Sequence, residues 1–254
     1  MRLLRFCLMV ACVLPFAPGA LQADDAAVKE VLDKATKALG GPENTAKLKA
    51  VSLKGKITVI QAGRNDILKF EMAMEGLGKM KFDVDAMRGD TGVSMKLTAV
   101  IAEENVWIAH SGMTEKVAKE DSRFLRTLFL AALAASSPNS LRAGKVELVH
   151  GGEAKANDTE AVILRVHAKD LPDIAIHYDK KNGLPLISEF RSPFGPGPGE
   201  ELNWELRFTE FKEVGGAKQF TKMKLLNQGG TLAEFEFTDF KVAQKFEDAT
   251  FAKP

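Results

Sequence analysis

Four histidines, His110, His150, His167 and His177, are the side chains best suited to acid–base or metal chemistry at neutral pH, and they are scattered over the ends of predicted strands. His167 and His177 could approach each other across a hairpin, with Asp179 nearby, which would give a metal pair or a hydrolytic cluster. No HExxH or comparable ligand spacing accompanies them. His110-Ser111 and a distant acid can be drawn as a triad, but the G-x-S-x-G turn that exposes a nucleophilic serine is missing. The run GPGPG at 195–199 lacks the Lys-Ser/Thr pair of a phosphate loop, and it reads as a stiff surface loop presenting Phe194. The residues therefore predict no catalytic centre, no metal site and no cofactor.

The ends and the composition narrow the function further. Arg2 and Arg5, an apolar run from Phe6 to about Phe16 and small residues up to Ala23 make a secretory signal peptide. Cleavage is expected between Ala23 and Asp24; a cut after Ala20, or lipidation at Cys12, are the alternatives. Both cysteines, Cys7 and Cys12, fall inside that segment, so an exported chain from Asp24 has no disulfide and no thiolate chemistry. Without Arg2 and Arg5, the 35 basic residues become 33 against 34 acidic ones. Near-neutral charge predicts no nucleic-acid footprint. No later stretch reaches the ~18–20 apolar residues of a membrane span. Residues 24–254 carry no linker, so one exported domain, a monomer in the periplasm, is expected.

Few elements position the remaining residues. Val28, Val31, Leu32, Ala35 and Leu39 recur at helical spacing from Asp24 to the Gly40-Gly41 stop, and PENTAKLKA adds a short second helix. From Val51 the period switches to two. Leu68, Phe70, Met72 and Met74 oppose Lys69, Glu71 and Glu75; Met80, Phe82 and Val84 oppose Lys79, Lys81 and Asp83. Met95 and Leu97 continue the apolar face. The alternation persists to the C-terminus, which predicts a mainly β (α+β) fold: a curled antiparallel sheet of about 11–12 strands.

One segment breaks this pattern. FLRTLFLAALAASS, Phe124–Ser137, is a very apolar helix with Asp121 or Ser122 as its expected N-cap and Ser136-Ser137-Pro138 as its stop. Phe124, Leu125, Leu128, Phe129 and Ala132 form its broad stripe. Burying about five such side chains at ~1.5–3 kcal/mol each docks it on the sheet. It can do so as permanent core or as a lid over a groove. Methionine favours the groove: it is flexible and recurs on surfaces that accept varied apolar partners. Six of the seven methionines after Asp24 lie between Met72 and Met113.

Three stretches carry a family resemblance: KATKALGGPENTAKLKAVSLKGKITV, IHYDKKNGLPLISEF, and FTEFKEVGGAKQFTKMKL with the closing FKVAQKFEDATFAKP. They resemble the opening, the aspartate-turn hairpin and the closing strands of the LolA/LolB-like, outer-membrane lipoprotein-sorting superfamily. The chain is longer than that family's carrier and lacks its aromatic-x-Gln pattern near the first strand. None of Arg64, Arg88 and Arg123 matches its lid-closing arginine. The resemblance implies an open half-barrel whose concave apolar face is covered by helices. It also implies non-catalytic binding of lipid or lipoprotein acyl chains. The groove would be lined by Phe70, Met72, Met74, Met80, Phe82, Met95 and Leu97 from the strands and by Leu125, Leu128 and Phe129 from the helix. The rival reading is an envelope protein-interaction or stress-sensing module with a filled core, meeting its partner through Phe194.

Overall fold

The computed structural model describes the backbone of residues 19–61, 64–87, 94–194 and 199–254. The expected signal peptide up to residue 18, Cys12, Arg88 and most of the GPGPG loop lie outside the described residues. The helices are α1 (Gly19–Ala38), α2 (Pro42–Lys47), α3 (Arg123–Ser136) and α4 (Pro138–Ala143). The strands are β1 (Ala50–Gln61), β2 (Arg64–Glu75), β3 (Lys79–Met87), β4 (Ser94–Ala102), β5 (Asn105–His110) and β6 (Met113–Lys116), followed by β7 (Val146–Ala156), β8 (Thr159–Ala168), β9 (Ile174–Asp179), β10 (Pro185–Ser192), β11 (Leu202–Val214), β12 (Ala217–Asn227) and β13 (Gly230–Ala243).

All thirteen strands belong to one antiparallel sheet in the order β6-β5-β4-β3-β2-β1-β13-β12-β11-β10-β9-β8-β7. That is one strand more than the periodicity predicts. The extra one is β6, a four-residue edge strand too short to show alternation. The sheet is not closed and forms an open half-barrel. Its topology explains the helix in mid-sequence. β1 and β13 pair at the centre, and every other strand connection joins neighbours except the one from β6 to β7. Those two are opposite edges, so the chain must cross the concave face between them. α3 and α4 make that crossing, and an apolar helix can do it because its own hydrogen bonds satisfy its backbone.

The predicted stripe of α1, Val28, Val31, Leu32 and Ala35, is buried, as is Leu39 just beyond the helix. Among the described residues the helix reaches back past Asp24 to Gly19, through Ala20, Leu21, Gln22 and Ala23, which are themselves helix-compatible. It stops at Gly40, where φ is 109° and a Cβ would come within 2.5 Å of the Gly216 carbonyl. The concave side holds one large core that includes Ile176, Tyr178, Phe190, Trp204, Leu206 and Phe208. A smaller cluster of Met80, Ile101, Val106, Phe129 and Leu133 sits under the β3–β5 wing. On the outer face, the segment after β13 straps back over the wing. The Phe246 amide donates to Glu75 Oε2 at 2.9 Å, Lys79 Nζ stands 5.8 Å above the Phe251 ring, and Thr114 Oγ1 donates to the Pro254 carbonyl at 3.1 Å.

Gly55 is the tightest point of the sheet centre. The β1–β13 register shifts beside it, and a Cβ there would overlap the Glu236 carbonyl and lie 2.6 Å from Phe70 Cζ. Gly55→Ala is therefore expected to destabilise the fold by ~1–3 kcal/mol, read as a lowered guanidinium midpoint with an unchanged slope. An unchanged midpoint would show that the sheet centre relaxes freely.

Candidate functional site

α3 has two flanks with different duties. Phe124, Thr127, Leu130, Ala131, Ala134 and Ala135 are buried on the first. Phe124 packs 4.6 Å from Trp204 and 6.1 Å from Phe190, ring centre to ring centre. Three side chains of the sheet donate to the helix's carbonyls: Ser188 Oγ to Ala131 at 3.2 Å, Tyr178 OH to Ala134 at 3.4 Å and Gln219 Nε2 to Ser136 at 3.4 Å. Ser122 stands at the expected N-cap position, but its hydroxyl turns back to the Lys119 carbonyl at 2.8 Å and caps nothing. The helix is held from the side rather than from its end.

The second flank, Leu125, Leu128, Phe129, Ala132 and Leu133, borders a cavity of about 180 Å³. Met72 and Met74 of β2, Met80 and Phe82 of β3, and Ala99 and Ile101 of β4 form the facing wall. Val51 and Leu53 of β1, Phe220 and Met223 of β12, and Phe235, Phe237 and Phe240 of β13 complete it. The void lies between the large core and the small wing cluster, where neither set of side chains fills the space. Such a wall is mostly apolar and offers dispersion and desolvation.

The structure brings seven of the ten expected groove residues onto this wall: Met72, Met74, Met80, Phe82, Leu125, Leu128 and Phe129. Phe70 does not reach it. Its ring lies 5.4 Å from Phe82 and 5.7 Å from Phe237, so it is buried core behind the lining. Leu97 pairs with Val84 and His110 farther along β4, beyond the point where Ala99 and Ile101 meet the void. Met95 lies farther still, opposite Ala86, and its side chain is outside the described residues. The sequence reading missed the β12–β13 contribution. Their alternation was visible; the β1–β13 pairing that carries them beside the N-terminal strands was not.

The histidines do not converge. His167 Nδ1 lies 2.6 Å from Asp173, and His177 Nε2 lies 3.2 Å from Glu189, whose carboxyl is held below the usual range by that contact. Asp179 is spent on its own turn, accepting from the Lys181 and Asn182 amides at 2.6 and 3.1 Å. Among the described residues, no three His, Cys, Asp or Glu side chains are placed to hold a metal.

Tyr178, the one tyrosine of the chain, is buried under α3, and desolvation pushes its phenol well above its ordinary pKa of 10.0. A folded-state pKa raised above the unfolded value means stability that is intact below pH 10 and declines as the pH rises above it. Tyrosinate absorbance is expected to appear only together with unfolding. A phenolate that titrates near pH 10 in the folded protein would place Tyr178 in contact with water.

No protein-family model and no curated protein matches the sequence. Solved structures do. A LolA superfamily protein of Nitrosomonas europaea superposes with a TM-score of 0.60 at 13% identity, covering 89% of this chain and 97% of that one. A putative outer membrane lipoprotein-sorting protein domain from Vibrio parahaemolyticus gives 0.58 at 15%, again over 89% and 97%. A DUF1329 family protein from Desulfovibrio piger gives 0.57 at 12% over the same shares. At these identities the likeness is one of fold, and it covers most of the chain: the chain has the fold of these LolA superfamily structures.

Proposed function

We propose that the protein is an exported, non-catalytic carrier or sensor that shelters an acyl chain of a lipid or lipoprotein between α3 and the β2–β4 wing. The observation that carries this reading is the cavity itself, a methionine- and phenylalanine-rich void left open between two packed clusters. Each methylene moved there from water contributes ~0.8 kcal/mol, so retention needs no catalytic group. The N-terminal segment supports export. No helix among the described residues is long and apolar enough to cross a membrane.

Size limits the cargo. A cavity of about 180 Å³ is close to the ~150 Å³ that takes up benzene and well below the ~300–1,000 Å³ of pockets for drug-sized ligands. As it stands it holds a segment of one chain. A longer chain requires one wall to yield. α3 is tied to β9, β10 and β12 by its three carbonyl contacts, so the wall that yields is the β2–β6 wing. The test is to express the chain with its own signal, purify it without detergent, and extract it for mass spectrometry. Near-stoichiometric lipid is the expected result; a clean extract together with no uptake of added lipid would overturn the reading.

A second reading, a protein-interaction module, draws on one rim. Ile67, Met113, Phe194 and Leu232 are exposed, and all four lie at the rim formed by the β1–β2, β5–β6, β10–β11 and β12–β13 ends. Phe194, 65% exposed, leans on Phe124 and Trp204. A Phe194→Ala variant that loses an envelope partner while keeping lipid would favour this rim as a separate contact surface.

A further inference from the structure

The wall of the cavity is mostly apolar, and its polar side chains gather at one end. Its polar side chains are Lys49, Ser136, Ser137, Ser140 and Gln219, and no acidic residue lines it. They share a rim because the topology puts them there. Lys49 immediately precedes β1, Gln219 lies near the start of β12, the serines sit at the α3–α4 junction, and α2 touches α4 across this end.

The groups at that end are arranged as donors. Lys49 is exposed and has no carboxylate within ion-pair distance among the described residues. Ser137 Oγ and Ser140 Oγ stand 2.7 Å apart. One of their two hydroxyl protons joins them, which leaves the other free to donate outward. Of the carbonyls in the last turn of α3, which would repel an anion, that of Ser136 accepts from Gln219 Nε2 and that of Ala134 from Tyr178 OH, each at 3.4 Å.

Resting on the proposal that the cavity takes an acyl chain, we infer that its ligand is a single-chain lipid with a compact anionic head, a free fatty acid. The chain enters the void, and the carboxylate stays at the rim between the Lys49 ammonium and the Ser137/Ser140 hydroxyl pair. Charge and size agree on this class. One cation balances one carboxylate, the free hydroxyl proton adds a hydrogen bond to it, and about 180 Å³ as it stands holds a segment of one chain.

The experiment compares cis-parinaric acid with its methyl ester, by fluorescence titration of protein stripped of lipid on a hydrophobic resin, at low salt and about pH 8, where the carboxyl is ionised. The acid is expected to bind about tenfold more tightly than the ester, because the ester keeps the chain and loses the charge. Lys49→Met should remove that difference, so that acid and ester bind alike; the residue is exposed, so the variant folds. Equal binding of acid and ester to the unmodified protein, or a preference for the acid that survives Lys49→Met, would overturn the head-group inference and leave the acyl-chain reading standing. If neither probe binds, both fail.

Discussion

Replacing Met72 with glutamate is expected to abolish lipid retention while leaving a folded protein. Met72 is half-buried on β2 and looks directly into the void. A carboxylate there must be hydrated, and an acyl chain cannot pack against it without stripping that water, at a cost of several kcal/mol. The fold survives because the glutamate can lean into the cavity and draw water in when no ligand is present. Leu128→Glu, on the opposite wall, should do the same, since it faces the void from α3. Met113→Glu is the control: Met113 is 54% exposed and lies on edge strand β6, away from the cavity. Lipid extracted from each variant, together with its thermal melt, separates lost binding from lost folding. A folded Met72→Glu protein that still carries lipid would remove this surface from the account.

The second large effect concerns how α3 is held. Phe124→Ala is expected to cost ~3–5 kcal/mol, the range for truncating a buried aromatic. Its ring stands in a cluster with Phe190, Phe194 and Trp204, and such ring contacts add ~0.5–1.5 kcal/mol beyond their area. Leu125→Ala, one residue on but turned to the cavity, should cost clearly less, because that leucine already borders empty space on one side. Urea unfolding of the two variants compares them directly. A Phe124→Ala cost no larger than that of Leu125→Ala would mean that α3 is a detachable lid, and the moving wall would then be the helix rather than the wing.

The stripe of α1, the alternating faces of β2, β3 and β11, and the limits of α3 were legible in the sequence because each is a local period that the structure reproduces. Seven wall residues were legible for the same reason: alternation fixes which side of a strand faces the core. Three features were not. Phe70 alternates like Met72, yet it is buried behind the lining, because Gly55 beside it lets its ring sink toward Phe237. The phenylalanines of β13 join the wall only through a pairing between strands at opposite ends of the chain, which no local period encodes. The division of α3 into a bonded flank and an open flank depends on Tyr178, Ser188 and Gln219, which lie well downstream of the helix. Spacing located the histidines near one another on adjacent strands. Register decided otherwise, since His177 faces Ile163 rather than His167.

The most direct measurement uses the methionine methyl groups as reporters. Met72, Met74, Met80 and Met223 line the cavity, and Met113 does not. With isotope-labelled methionine methyls, titration with a long-chain fatty acid should shift the resonances of those four and leave Met113 in place. Saturable shifts confined to the four would establish an acyl chain inside the cavity. Binding that moves Met113 and leaves the four unchanged would put the lipid on the outside of the protein and contradict the account.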